Sequence, residues 1–126
     1  NDVEHERDRW QSTIDFYVHR WQSRGSDRPT AIMAWHDGLA CDLITAMREQ
    51  GISVPGDVSV VGVDDIDAAT ETQFHLTTVR NPLDEISRRA TAIVLNRVED
   101  PTFPIETIKL PPKLVIRQTT GPYARM

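Results

Sequence analysis

Val54-Pro-Gly-Asp-Val-Ser-Val-Val-Gly-Val-Asp-Asp65 is the stretch that best predicts how this chain folds. It joins a Pro-Gly turn to an apolar run, Val58–Val63, and it ends in two carboxylates, Asp64 and Asp65. A valine-rich run of this length is typical of a strand buried on both faces of a parallel sheet. The acids then lie at the carboxyl edge of the sheet, where open α/β sheets hold their ligands. The stretch therefore predicts a small-molecule site at that edge.

Helical and strand patterns alternate on both sides of this stretch. Upstream, the pattern predicts an amphipathic helix to about Arg24, a strand at Thr30–Trp35 and a helix at Leu39–Gln50. Downstream, it predicts a strand at Leu76–Arg80 and a helix at Leu83–Arg97. Such alternation indicates βαβ units. The expected fold class is α/β, with three layers: a parallel sheet and helices on both of its faces.

Local signals predict where the helices begin and end. Ser12 followed by Asp15 has the form of a capping box, which would place Trp10 on a loop before the first helix. On helical spacing alone, Trp10 fits the core equally well. Asp37 and Asn81 are expected to cap the two later helices. Gly51 is expected in the left-handed position that ends the second helix.

The two ends of the chain carry weaker patterns. Residues 1–9 are highly charged and predict a solvated loop. Two short strands, Ile105–Leu110 and Lys113–Arg117, are expected around a pair of prolines, and Thr119–Met126 is expected to form a loose tail. The last helix is expected to bury one apolar stripe, formed by Leu83, Ile86, Ala90, Ile93 and Val94.

The composition indicates one ordinary globular domain. The chain has 126 residues, 39% of them hydrophobic and 26% charged, with a formal net charge of −5. An acidic chain is a poor match for the basic surface that nucleic acid requires. The sequence has no apolar run of the roughly 18 residues that a membrane span needs. One cysteine excludes an internal disulfide, and a cytoplasmic location is expected.

Polar and aromatic side chains follow two of the predicted strands. One strand ends in Trp35-His36-Asp37 and the other in Asp64-Asp65. Adjacent parallel strands place their carboxyl ends side by side, so His36 and Asp64 are expected to be neighbours. Carboxylate and imidazole groups beside an aromatic ring suit a sugar or polyol. Asp64 is the strongest candidate, whereas Trp35 is expected in the core and Asp65 at the start of a turn.

Motifs for catalysis or metal binding are weak. The sequence has no phosphate-binding glycine pattern, no nucleophile elbow and no His-Glu-x-x-His motif. His36, Asp37, Asp64 and Asp65 match no dedicated metal site in their spacing. Cys41 lies in a predicted helix and is expected to be a small core thiol. No catalytic residue, cofactor or metal is therefore predicted.

Four motifs in order give the chain a family resemblance. They are Pro29-Thr-Ala-Ile-Met-Ala-Trp-His-Asp37, Gly51-Ile-Ser-Val-Pro-Gly-Asp-Val-Ser-Val-Val-Gly-Val-Asp-Asp-Ile66, Leu76-Thr-Thr-Val-Arg-Asn-Pro82 and Leu110-Pro-Pro-Lys-Leu-Val-Ile-Arg-Gln-Thr-Thr120. Together they resemble the lactose repressor/galactose repressor family of bacterial transcription regulators. The resemblance implies a helix-turn-helix domain, which this chain lacks, followed by a two-lobed effector domain like the periplasmic sugar-binding proteins.

The resemblance also implies how the chain is divided. Residues 1–126 would be the C-terminal portion of the effector-binding domain. Residues 10–80 would form its C-terminal lobe, residues 83–110 would cross to the other lobe, and residues 113–126 would be the final strand and tail. An effector would bind between the lobes and change the affinity for operator DNA.

Site residues and partners follow from the same resemblance. The effector-binding positions of the family fall on Trp10, which would stack on the effector, His36 and Asp64. His36 stands where asparagine is common, which changes the pattern of donors and acceptors. A homodimer is expected through the Leu39–Gln50 helix and the Ile66–Gln73 region, with operator DNA bound by the separate domain. The effector is expected to be a sugar or related polyol.

Two other classes of protein remain open at this stage. A phospho-acceptor receiver or a metal-dependent enzyme could use Asp64 and Asp65, because receivers also place an acidic pair after a buried strand. A receiver needs a further acceptor Asp and a Lys at other strand ends, and neither is evident. A periplasmic sugar-binding protein is the other alternative, which the repressor-like segment Leu110–Thr120 disfavours.

Overall fold

The computed structural model describes the backbone of residues 2–122 and the side chains of residues 11–122. Within that range, helices and strands alternate along the chain. The strands are β1 (Ala31–Met33), β2 (Ser59–Val63), β3 (Thr77–Arg80) and β4 (Lys113–Val115). The helices are α1 (Asp2–Ser23), α2 (Asp37–Glu49), α3 (Asp67–Thr70) and α4 (Leu83–Glu99), with one 3₁₀ turn at Gly25–Asp27.

The four strands form one sheet in the order β1-β2-β3-β4. β1, β2 and β3 are parallel, and Ile32 pairs with Val60 while Gly62 pairs with Thr78. β4 runs antiparallel to β3, because the chain returns to the sheet from the end at which β3 leaves it. The predicted α/β class with a parallel sheet is confirmed, with one antiparallel strand added at its edge.

The core lies between the sheet and the first two helices. α1 contributes Ile14, Val18 and Trp21, which are buried against α2 and the sheet. The Trp21 indole Nε1 donates a hydrogen bond to the Pro29 carbonyl at 2.8 Å. The Arg28 guanidinium lies 4.6 Å from the centre of the Trp21 ring, within the range of a cation–π contact. These contacts hold α1 to the segment that leads into β1.

The first helix is longer than the sequence predicts. It begins at Asp2 and continues through Ser12 and Asp15, so the loop expected at residues 1–9 is helical from Asp2 onward and the capping box is wrong; Asn1 lies outside the described residues. Asp15 instead accepts a hydrogen bond from Gln11 one turn earlier, at 3.1 Å. The backbone of Trp10 belongs to α1, and its side chain lies outside the described residues.

The predicted burial of α4 is wrong. None of its residues is buried, and Val98 is 75% exposed. The periodicity correctly identified an apolar helix, but no other described element covers its apolar side chains. Asn81 does not cap this helix either, because Pro82 occupies the cap position. The strand expected at Ile105–Leu110 is also absent from the described chain.

Trp35 is the other misplaced aromatic residue. It was expected in the core, yet it is 83% exposed. β1 is an edge strand, and alternation puts Ala31, Met33 and Trp35 on one face, all of them exposed. Ala34 points the other way and is buried. The predicted strand was therefore correct, but the prediction that the face bearing Trp35 is buried was wrong.

The segment after β4 is not loose up to residue 122. Thr119 is fully buried between β2 and β3. Its hydroxyl accepts a hydrogen bond from the Thr77 amide at 2.9 Å and donates one to the Val60 carbonyl at 2.7 Å. Its own carbonyl accepts from the Val60 amide at 2.8 Å. The rest of the predicted tail, residues 123–126, lies outside the described residues.

No helix in the described part of the chain is long and apolar enough to cross a membrane.

Gly62 in the middle of β2 marks a close approach between the sheet and α2. A Cβ atom at this position would lie 2.1 Å from Asp37 Oδ1 and 2.9 Å from Leu76 Cδ2. Neither neighbour can retreat easily, because both side chains are fully buried. Glycine is therefore needed here for space, which is one reason that glycine occurs within strands.

We expect Gly62→Ala to destabilise the protein by about 3 kcal/mol or more, at the upper end of the usual range for overpacking. Urea denaturation followed by circular dichroism measures the change. Gly121→Ala is the matched control, because its Cβ would lie 3.4 Å from Pro55, an ordinary contact. Equal stability of the two variants would contradict the packing described for Gly62.

Candidate functional site

Asp37 ties together the carboxyl ends of three strands. It is fully buried at the first position of α2. Its Oδ1 accepts a hydrogen bond from the Thr78 hydroxyl in β3 at 2.5 Å, and its Oδ2 accepts one from the Ile66 amide beyond β2 at 2.9 Å. The predicted role as a helix cap is wrong, because the carboxylate points across the sheet edge and away from its own helix.

His36 caps α2 in place of Asp37. Its Nδ1 accepts a hydrogen bond from the Leu39 amide at 3.1 Å, with an extended backbone at the cap position. A ring nitrogen that accepts carries no hydrogen, so the neutral ring has its hydrogen on Nε2. The half-buried imidazole is thus fixed in orientation at the end of β1, where the sequence placed it.

Asp64 has an unusual backbone. Its φ is 107° and that of Asp65 is 57°, both in the region that side chains other than glycine rarely adopt. Such residues cost of order 1–3 kcal/mol and collect at functional sites. The Asp64 amide donates to the Val79 carbonyl at 2.8 Å, and its half-buried carboxylate has a long contact, 3.4 Å, with Asn81 Nδ2. The turn thus holds the Asp64 carboxylate at the sheet edge.

Asp65 is neutralised by two arginines. Its side chain is only 4% exposed, and it binds Arg117 Nη2 through Oδ1 at 2.6 Å and Arg80 Nε through Oδ2 at 2.5 Å. Burial alone would raise the pKa of this carboxyl. The hydrogen bonds and charges of Arg117 and Arg80 outweigh burial and hold the pKa below its ordinary value of 3.8. Asp65 therefore contributes to the structure as an anion.

The structure places two of the three expected effector-binding residues at one edge. β1 and β2 are adjacent and parallel; His36 follows the last residue of β1 by three positions and Asp64 follows β2 directly, so both lie at the carboxyl ends of neighbouring strands. The bond from Asp37 to the Ile66 amide holds these two strand ends together. The position of the Trp10 side chain is not described, so its place in the site stays a prediction.

A separate apolar groove of about 500 Å³ runs between α1 and β1. Its lining includes Ile14, Tyr17, Met33 and Trp35, but not His36 or Asp64. It therefore lies beside the carboxylate edge and is distinct from it.

Other chemistry has little support among the described side chains. Residues 11–122 contain no group of three His, Cys, Asp or Glu side chains placed to share a metal ion. Cys41 is buried, and burial together with nearby Asp37 raises the pKa of its thiol to about 11. A thiol of that kind is not a nucleophile at neutral pH, in line with the predicted core position.

Sequence reasoning missed the residues that support the site. The ion pairs of Asp65 with Arg80 and Arg117 were not predicted, because bonds between positions 15 and 52 residues apart leave no local pattern. Asp37 was assigned the wrong role, because an acid after a strand and before a helix looks like a cap. Its proximity to the buried Gly62 in space has no signal in the sequence.

The family of the chain is established by a match to a domain model. The model described as a periplasmic binding protein-like domain matches residues 1–120. The chain belongs to the periplasmic binding protein-like domain family.

Curated relatives of this periplasmic binding protein-like domain are transcriptional repressors. The arabinose metabolism transcriptional repressor of Geobacillus stearothermophilus is 34% identical over 114 residues, 90% of this chain and 31% of that protein. The HTH-type transcriptional repressor PurR of Photobacterium profundum is 38% identical over 93 residues, 74% of this chain and 28% of that protein. The chain thus spans less than a third of the length of these two relatives.

Solved structures agree with these relatives. A LacI family transcriptional regulator from Enterococcus faecium, solved with bound ribose, matches with a TM-score of 0.73 and 28% identity. The match covers 85% of this chain and 40% of that one. The resemblance to the lactose repressor/galactose repressor family is confirmed, and the domain corresponds to part of such a regulator.

The Asp65 ion pairs predict acid sensitivity of this periplasmic binding protein-like domain. The folded-state pKa lies below the unfolded one, so the stabilisation is complete above about pH 4 and is lost as the pH falls through the lowered value. We expect Asp65→Asn to lose about 3–5 kcal/mol at pH 7, as for other broken buried pairs, and the difference from the parent protein to narrow steadily as the pH falls below about 4. Denaturant titrations at pH 7 and at a series of acidic pH values measure this difference.

Glu85→Gln is the control for this experiment. Glu85 also binds two arginines, Arg88 and Arg89, but on the solvated surface of α4. Screening by water leaves such pairs with little net effect. A loss in Asp65→Asn no larger than that in Glu85→Gln would contradict the importance of the buried pairs.

Proposed function

We propose that this chain is the effector-sensing part of a bacterial transcriptional regulator, and that a sugar or related polyol binds at the edge formed by His36 and Asp64. The observation that carries the proposal is the conformation of Asp64. A left-handed residue directly after a central strand presents a carboxylate whose only described side-chain hydrogen bond is the long one from Asn81. Carboxylates of this kind bind pairs of adjacent sugar hydroxyls.

The relatives support a regulatory role for that binding. The two curated relatives are named as repressors, and the Enterococcus faecium regulator holds ribose. We propose that effector binding between two lobes changes the operator affinity of a separate DNA-binding domain, with the coupling free energy set by differential affinity for two conformations. The whole protein would act in the cytoplasm as a sensor, with no catalytic step.

The other classes have weaker support. A receiver or metal-dependent enzyme would need Asp65 to be available, but this carboxylate binds Arg80 and Arg117. A periplasmic sugar-binding protein would share the fold, but the curated relatives that match are repressors.

We expect Asp64→Ala in the whole regulator to weaken sugar binding by roughly 10- to 150-fold, because a hydrogen bond to a charged group contributes about 1.5–3 kcal/mol. Isothermal titration calorimetry with D-ribose and L-arabinose measures the loss. Asp27→Ala, an exposed acid at the opposite end of β1, should bind as the parent does. Equal affinity in both variants would refute the assignment of Asp64, and failure of the parent to bind any sugar would refute the effector class.

We also propose the division into lobes that the resemblance implies, with residues 10–80 as the C-terminal lobe and residues 83–110 crossing to the other one. The exposure of the apolar side chains of α4 supports this division, because apolar surface of this kind is normally covered. A homodimer through Leu39–Gln50 and the Ile66–Gln73 region is part of the same proposal, which sedimentation velocity of the whole protein tests.

If the other lobe covers α4, charged substitutions on α4 should destabilise the whole regulator but not the 126-residue chain. The double variant Leu95→Asp, Val98→Asp should lower the melting temperature of the whole regulator by several degrees, since buried charges without partners are unfavourable. The same variant should leave the 126-residue chain unchanged, because both side chains are exposed there. Calorimetry of both lengths measures this, with Thr91→Asp on the same helix as control. An unchanged melting temperature in the whole regulator would contradict the crossing.

A further inference from the structure

Asp65 binds the two ends of one long excursion of the chain. Arg80 is the last residue of β3, where the chain leaves for α4. Arg117 comes two residues after β4, where the chain has returned. Both guanidinium groups meet on the same carboxylate, one at each oxygen. The intervening residues 81–116 contain α4, which has no buried residue, and β4, which pairs with β3, so the excursion is held at its two ends and along β4.

The Arg117 end is the more enclosed. The Arg117 side chain is 15% exposed, and its Nη1 also donates to the Leu76 carbonyl at 2.7 Å. Its backbone amide donates to the Thr77 hydroxyl at 2.9 Å. Arg117 is thus built into the sheet, and Asp65 is the acid that neutralises it. Arg80 is about half exposed and binds the other oxygen of the Asp65 carboxylate.

The backbone next to Asp65 is held at three successive residues. The Asp64 amide donates to Val79, the Asp65 side chain binds the two arginines, and the Ile66 amide donates to Asp37. Two positive φ angles in a row are unfavourable for residues with side chains, so this turn persists because its surroundings hold it. The Asp65 side chain is the central of the three attachments.

We infer that Asp65 is a positioning residue for the effector site, which holds Asp64 in its left-handed conformation and joins it to both ends of the α4 excursion. The inference rests on the proposed function only in taking Asp64 as the effector contact. An effector that binds the Asp64 carboxylate would then shift the positions of the two arginines, because one peptide unit separates Asp64 from Asp65. Thermodynamic linkage is reciprocal, so a change in the position of α4 would in turn alter the affinity for the effector by the same coupling free energy.

Hydrogen exchange in the Asp65→Asn variant tests the inference without any effector. Asparagine keeps the shape of the side chain and removes its charge. We expect exchange of the Asp64 and Ile66 amides to become at least tenfold faster, relative to the Ala34 amide in the same molecule. The Ala34 amide donates to the Val61 carbonyl between β1 and β2, where neither arginine bonds, and it reports global opening. A role that is only structural would accelerate all three amides by the same factor.

Two further variants complete the experiment. Arg80→Gln removes the half-exposed guanidinium group and is expected to fold. Amide exchange should accelerate less than in Asp65→Asn, and only at Asp64 and Ile66. Glu85→Gln removes a carboxylate bound to two arginines elsewhere and should change none of the three amides. Uniform acceleration in Asp65→Asn, or no local change in either Asp65→Asn or Arg80→Gln, would overturn the inference. The sugar titration of Asp64→Ala decides the proposed function separately.

Discussion

The buried carboxylate of Asp37 is the constraint on which the sheet edge depends. A polar group removed from water is unfavourable by several kcal/mol unless hydrogen bonds replace its hydration, so the Thr78 hydroxyl and the Ile66 amide must stay within reach of the Asp37 side chain. The same carboxylate requires glycine at position 62, where any side chain would collide with it. The geometry of the edge that presents Asp64 is therefore set by a side chain that no ligand can reach.

Three acids near this edge have three different environments. Asp37 is satisfied by a hydroxyl and an amide, Asp65 by two guanidinium groups, and Asp64 has one long contact with Asn81. The first two are buried and already hydrogen-bonded or ion-paired, so a ligand cannot reach them. Asp64 is half-buried, and its carboxylate can accept further hydrogen bonds beyond the one from Asn81. The environment of each side chain therefore assigns a binding role to Asp64 and structural roles to Asp37 and Asp65.

The elements of the fold were largely predictable, and the surroundings of the side chains were not. Periodicity located the strands and helices, and Gly51 has the positive φ, 73°, that its position after α2 predicted. Periodicity shows that a face is apolar but not what covers it, which is why Trp35 and the stripe of α4 were misplaced. Asp64 and His36 lie at the predicted edge because strand ends are local features. The link from Asp65 to Arg117 spans 52 residues and exists only in three dimensions.

The insertion of Thr119 between β2 and β3 affects how the protein is made. Val60 and Thr119 are 59 residues apart, yet the threonine satisfies the amide and carbonyl of Val60 and the amide of Thr77. A ribosome delivers the N-terminal elements first. The two central strands therefore emerge while these groups still lack their native partner, and this end of the sheet is completed only after residue 119 has emerged. Chains that stop before residue 119 leave these backbone groups without Thr119, and unpaired strand backbone is a template for pairing with other chains.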